Sequence, residues 1–326
     1  MTVEVRRFRD EDQLAVVALL ATSLGWEERA DNRHSEFFSW KHRENPFGPS
    51  VGWVAVDGPE IVAFRTFMRW EFLRGRELVR AVRAVDTATH PDYQGQGLFT
   101  RLTKIGIGEL RNQGVSFVFN TPNDKSRPGY LKMGWQVVGR LPVDVRLRSL
   151  SSLRRVLTSR VPAEKWSDDL RAGAPAADVL ADTPTVEALL GTTSPPVGLS
   201  TRRSPAFLSW RYGFAPLGYS VLRAGASTVD GIAIFRLRRR GDCVEATICD
   251  LLVSKENPSV KAQLVRQLLR ASGADYALKA GGKGIREAGM VRAPRQGPVL
   301  TWRALANDDQ PPLSEWQLAL GDIELF

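Results

Sequence analysis

The sequence predicts a mixed α/β protein built as two related units, and three observations predict it. Over residues 1–148 strand-like runs come first, then a helix, then strand–helix–strand, an order that makes a mixed, mostly antiparallel sheet flanked by helices. The segment Phe37-Phe-Ser39-Trp40-Lys41 returns as Phe207-Leu-Ser209-Trp210-Arg211, while Pro46 and Gly48 return as Pro216 and Gly218, all at one offset of 170 (210 − 40). Such self-similarity marks an internal repeat. Finally, 326 residues suit about two domains, placed here at 1–148 and 149–326.

The elements follow in order. Val3, Val5 and Phe8 read as a first strand, and Asp10 as the cap of a helix whose apolar face carries Leu14, Val17 and Leu20. A second helix covers Ser35 to Arg43 and stops at Asn45-Pro46. Strands follow at 51–57, 61–73 and 78–90, turned by Asp57-Gly58 and near Gly75. Leu98, Leu102, Ile105 and Leu110 recur at helical spacing over 98–112. A buried strand, Val115 to Asn120, then a short helix near 123–133 and a strand over 135–148 close the first unit. From 149 to 200 prolines punctuate a connection that leads into the second unit, with Arg154, Arg155 and Arg160 on a short apolar pattern. That piece suits a solvated helix face, or a membrane surface if its apolar side is free. Further along, Asp86 answers to Asp250 and Gly134 to Gly289 at shrinking offsets, as if loops had been trimmed.

Composition narrows the function. Apolar residues make up 43% with nine Trp, enough for real cores, and the net charge of +9 favours anionic partners without any nucleic-acid motif to specify one. No run near 18 apolar residues spans a membrane, and the start of the chain has no apolar signal core. The two cysteines, Cys243 and Cys249, would lie roughly 20 Å apart on one strand, too far for a disulfide. A reducing, cytoplasmic setting is expected. His34, His42 and His90 lack metal-ligand spacing, so no metal is expected.

The chemistry concentrates in residues 86–135. A strand ends at Asp86-Thr-Ala-Thr-His90-Pro91, and the turn Asp92-Tyr-Gln94-Gly95-Gln96-Gly97 opens the helix at Leu98-Phe99-Thr100. A glycine-bearing turn onto a helix N-terminus presents backbone N–H groups to a phosphate. Copy two has Glu256-Asn-Pro-Ser-Val-Lys261 at that place, and its Gly281-Gly-Lys-Gly284 reads as a flexible turn.

Here the sequence resembles the GNAT superfamily of acyl-CoA-dependent N-acyltransferases. Gln94-Gly95-Gln96-Gly97-Leu98-Phe99 follows the Gln/Arg-x-x-Gly-x-Gly/Ala pattern except at Phe99. Asn123, Ser126, Tyr130, Lys132, Gly134 and Trp135 fit a second segment of that superfamily, with Pro128-Gly129 departing from a smooth helix. The resemblance implies tandem GNAT-like domains with a degenerate second copy. It implies acetyl-CoA as co-substrate and direct transfer to an amine of a small molecule or sugar. The amides of Gln96 to Thr100 would hold the diphosphate, with Gln94 and Gly95 shaping the turn, and the strand end at Ala88, Thr89 and His90 would align the pantetheine. Asp86 would take a proton from the amine and Tyr130 would return one to the thiolate. Asn123 would cap the following helix and touch CoA. Structural readings stand beside these: Asp86 paired with Arg80, Arg83 or Arg101, His90 as a loop residue rather than a rival base, Trp40 and Trp210 as core. Two other functions fit the pattern, an acyl-CoA sensor without turnover and a Fem-type aminoacyl transferase using charged tRNA.

Overall fold

The computed structural model describes residues 3–24, 33–159, 161–168, 170, 172–193, 197–225, 227–281, 289–306 and 309–323. The glycine-rich turn expected after Gly281 lies outside them. The chain divides into two compact units, one of 1–72, 77–139 and 299–312, the other of 73–76, 140–298 and 313–326.

The first unit is a twisted mixed sheet with helices. Its elements are β1 (Glu4–Arg7), α1 (Gln13–Leu24), α2 (Arg33–His42), β2 (Val51–Asp57), β3 (Glu60–Arg74), β4 (Glu77–Thr89), α3 (Leu98–Asn112), β5 (Phe117–Asn120), α4 (Arg127–Lys132) and β6 (Gln136–Arg140). Strand order runs β1-β2-β3-β4-β5, then the late strand Val299–Ala304, then β6. The β4–β5 pair is parallel and joined through α3, whereas the pairs β1–β2, β2–β3 and β5 with Val299–Ala304 are antiparallel. Every residue of Val62–Met68 is buried. That is why its apolar residues do not alternate with exposed polar ones. Leu98, Leu102, Ile107 and Leu110 of α3 sit in the core beside Trp53, Phe67 and Val82. Burial of side chains this size contributes about 1.5–3 kcal/mol each.

Three expectations need correction. Asp12, not Asp10, closes the turn before α1, since its carboxylate accepts the Arg9 amide at 2.8 Å and two hydrogen bonds from Arg6. The apolar face of α1 is Val16, Leu19 and Leu20, while Leu14 is 74% exposed. A helix apolar nearly all round offers no unique period to read. The strand expected over 135–148 is two strands, β6 and β7 (Val143–Leu147), parted at Leu141-Pro142. The second of them pairs antiparallel with Tyr276–Ala280 in the other sheet.

The second unit holds its own sheet, ordered Val291–Ala293, β7, Tyr276–Ala280, Cys243–Val253, Gly231–Arg240, Ser220–Arg223, Ala174–Pro175. The parallel pair Cys243–Val253 and Tyr276–Ala280 is bridged by the helix Pro258–Ser272, whose Leu264, Val265, Leu268 and Leu269 enter the core. Cys243 and Cys249 are buried free thiols.

Candidate active site

The site begins where β4 and β5 part. Their ladder covers only Ala81–Arg83 against Phe117–Phe119, yet β4 runs on to Thr89. Past Arg83, β4 has no β5 residue in register, and the sheet opens into a fork. Asp86 takes a left-handed φ of 40° inside this stretch, a conformation that non-glycine residues adopt rarely. Ala88 is buried and Thr89 half-buried at the strand end.

The turn beyond is braced from within. The His90 amide bonds the Val62 carbonyl at 2.8 Å, and Tyr93 Oη donates to Asp57 Oδ2 at 2.7 Å. His90 Nδ1 accepts the Asp92 amide at 3.4 Å, which commits that ring to the loop. Gln94 Nε2 reaches the Thr89 carbonyl at 3.4 Å and Gln96 Nε2 the Asp92 carbonyl at 3.3 Å. Gly95 and Gly97 have φ of 76° and 77°, and a Cβ added to either would meet nothing within 4 Å. The backbone there is exposed. Gly97 caps α3 without any side-chain hydrogen bond, and the Arg101 amide is the one that bonds back to the Gly97 carbonyl, at 2.9 Å. The amides of Leu98, Phe99 and Thr100 therefore have no helical acceptor. With the positive end of the helix dipole, such a turn suits a phosphate.

Phe99 and Gly129, which with Pro128 depart from the GNAT pattern, account for each other. A Cβ at Gly129 would lie 3.0 Å from the Phe99 ring. The bulky side chain thus lies against α4 at a residue with no side chain. Its ring meets Tyr130 edge-on at 5.3 Å, and Tyr130 meets Trp135 at 5.1 Å. Tyr130 is buried, and its phenol oxygen accepts a hydrogen bond from Arg65 Nη1 at 2.7 Å. The same Nη1 also donates to Thr87 Oγ1. Asn123 is exposed; its Oδ1 accepts from the Ser126 amide at 2.9 Å and from Ser126 Oγ at 3.0 Å, fixing the turn before α4.

Asp86 is not paired with Arg80, Arg83 or Arg101. Lys41 Nζ lies 2.8 Å and His42 Nε2 2.8 Å from its Oδ2, and His42 Nδ1 is 3.0 Å from Ser50 Oγ. Arg83 instead donates to Thr121, and Arg101 to the Val3 carbonyl. Burial opposes the charge on Asp86, yet Lys41 and His42 together hold its carboxyl well below the usual carboxylate range. Burial pushes the His42 imidazole down, with Asp86 partly offsetting it. The result is an ionised carboxylate wedged between an ammonium and a neutral imidazole.

Residues 4–138 match the sequence profile of the acetyltransferase (GNAT) domain. They are a GNAT domain. Solved structures agree on the fold along most of the chain. A probable N-acyltransferase from Enterococcus faecalis has a TM-score of 0.62 at 11% identity, over 94% of this chain and 73% of that one. GCN5-related N-acetyltransferases from Anabaena variabilis and Kribbella flavida give 0.64 at 13% identity and 0.59 at 15%. The first covers 94% of this chain and 73% of its own, the second 93% and 72%. No curated protein matches by sequence.

In the GNAT domain the turn over residues 92–97 adjoins the end of β4, and Phe99 brings α3 against Tyr130. Reading the sequence alone misses Arg65, Thr87, Lys41 and His42. Arg65 had a signal, a lone cation inside the apolar run Ile61 to Met68. Among the described residues no helix is long and apolar enough to cross a membrane, and no three His, Cys, Asp or Glu side chains converge as metal ligands.

The second unit closes its helix start within itself. The Asn257 side chain accepts from the Ser259 amide at 3.0 Å and the Val260 amide at 3.5 Å, so its helix start is self-capped. Its sheet also parts, since Cys243–Val253 meets Tyr276–Ala280 only through Glu245–Thr247. Asp250 accepts from Tyr212 Oη and, at 2.7 Å, from Arg203, which also reaches Asp322 at 3.1 Å.

Proposed function

We propose that this chain is an acyl-CoA-dependent N-acyltransferase that moves an acetyl group from acetyl-CoA directly to an amine of a small molecule or sugar. The observation that carries the reading is the uncapped first turn of α3, set at the end of a β4 strand that has left its neighbour. The residues present fit the coenzyme there. Open space surrounds Gly95 and Gly97, and the amides of Gln96, Gly97, Leu98, Phe99 and Thr100 would hold its diphosphate, with Gln94 bracing the turn. The free edge of β4 at Ala88 and Thr89 suits the pantetheine amides, much as an added strand would. Bound acetyl-CoA supplies the activated acyl group and a thiol leaving group. Asn123 holds the α4 entry and hence the position of Tyr130.

Tyr130 is proposed as the acid. Its oxygen receives a hydrogen bond from Arg65, which leaves its own proton to give. The base role expected for Asp86 needs a carboxylate that readily takes up a proton. With Lys41 and His42 against it, Asp86 serves better as the anchor that fixes α2 to β4.

We further propose that the second unit is a degenerate copy. Trp40-Lys41-His42 matches Trp210-Arg211-Tyr212, and His42 on Asp86 matches Tyr212 on Asp250. Gly134 and Gly289 both have left-handed φ, and a Cβ on either would strike an arginine, Arg303 or Arg146. Self-capping by Asn257 removes the amides that a diphosphate would need.

The test is calorimetric titration with acetyl-CoA together with CoA release against a panel of small amines and amino sugars. Saturable binding plus amine-dependent release supports the reading. Binding without release for any amine would make the protein a sensor, and absence of binding would end the proposal.

A further inference from the structure

Arg65 is a buried cation without a counter-charge. It is 0% exposed, lying mid-strand in β3. Nη1 serves Thr87 and Tyr130, but Nε and Nη2 have no hydrogen-bond partner among the described residues. No carboxylate there pairs with it, whereas buried Lys41 has Asp86 and buried Arg203 has Asp250 and Asp322. Its guanidinium lies against aromatic faces instead, 4.5 Å from the Phe67 ring centre, 5.6 Å from Phe99 and 5.2 Å from Tyr130. Unbonded N–H groups and an unneutralised charge are costly to bury, and an apolar side chain of similar volume serves a fold at least as well. What sets Arg65 apart is its hydrogen bond to the Tyr130 phenol oxygen.

We infer that Arg65 is the positioning residue of Tyr130, holding the phenol oxygen so that the hydroxyl proton is turned toward the leaving group, and supplying the charge that balances the phenolate left behind. The inference rests on Tyr130 being the acid. In the step it serves, the amine nitrogen forms its bond to the acyl carbon and the C–S bond breaks. The sulfur's electron pair takes the Tyr130 proton, and the proton lost by the amine returns through water to Tyr130. The net products are an amide and free thiol. The counter-charge to Arg65 exists only while the phenolate does, so the resting site holds an unbalanced cation that the reaction balances.

A double-mutant cycle tests this with three readouts: thermal midpoint without ligand, acetyl-CoA affinity by calorimetry, and kcat with the best amine of the panel. Arg65→Met should keep or raise the midpoint and leave affinity within about threefold, yet lower kcat by about 10²-fold, the scale of a lost general acid. Tyr130→Phe should lose a similar factor, and the double variant should be no slower than the slower single one, since both act through one proton. Arg65→Lys should fall between wild type and Arg65→Met. It carries the same cycle should the methionine variant fold poorly. Multiplying losses, or an unchanged kcat in both Arg65 variants beside a damaged Tyr130→Phe, would overturn the role of Arg65 alone. An unchanged kcat in Tyr130→Phe would remove the acid reading and this inference with it.

Discussion

Replacing Asp86 by Asn separates an anchoring carboxylate from a catalytic one. The amide keeps the shape and a hydrogen bond to His42 but deletes the charge that Lys41 faces. The Lys41 side chain is 1% exposed, so its ammonium would lose a 2.8 Å ion pair in the interior. Breaking a buried pair from one side typically costs about 3–5 kcal/mol. At about 2–4 °C per kcal/mol for a domain of this size, the thermal midpoint should fall by roughly 6–20 °C. Scanning calorimetry near neutral pH reads it. The decisive variant is Asp86→Asn with Lys41→Met, which removes both charges. If Asp86 is an anchor, the double variant should recover most of the stability and most of kcat at saturating acetyl-CoA. If Asp86 were the base, stability would return while kcat stayed low. A midpoint unchanged in Asp86→Asn itself would refute the account of the pair.

Two further outcomes are expected. Gly97→Asp places a carboxylate beside the cradle amides. A left-handed residue costs about 1–2 kcal/mol, so the fold should survive, while acetyl-CoA affinity should drop at least tenfold by calorimetry, about 1.4 kcal/mol. Acid should weaken the first unit in two windows. His42 has a lowered folded pKa, so below about pH 6.5 the unfolded chain binds the extra proton and stability falls with pH. Asp86 also has a lowered folded pKa, so its contribution is present above about pH 4 and fades only below it. Thermal midpoints from pH 8 to 5 should show the first slope, and His42→Gln should flatten it.

The first sheet was legible wherever pattern and turn chemistry coincided. Asp57-Gly58 fixes the β2–β3 turn, and α3 shows a clean helical period from Leu98 to Leu110 because one of its faces is solvated. The domain border was not legible in the same way. Pro142 interrupts an apolar run without announcing that β7 pairs in another sheet, and the strand that completes the first sheet, Val299–Ala304, carries no local sign of its partners Phe117–Asn120. Long-range pairing leaves no mark on a short apolar run. At the site, the turn and Tyr130 could be read because their residue types are constrained by local geometry. Lys41 and His42 could not, because each owes its role to a partner more than forty positions away, and Arg65 showed only as a lone cation with no sign of its partners.

The proposed repeat would account for an open helix start in one unit and a closed one in the other. Both retain a carboxylate on the forked strand, Asp86 and Asp250, tied to the segment after the recurring tryptophan. That tie is structural, since it survives where the helix start has been closed by Asn257. What differs is confined to groups with no value to folding. The first unit leaves the α3 amides uncapped and sets Gly95 and Gly97 in open space. The second unit satisfies its helix start internally. A fold gains nothing from exposed, uncapped amides, so on the proposed reading they mark where a ligand would complete the first unit.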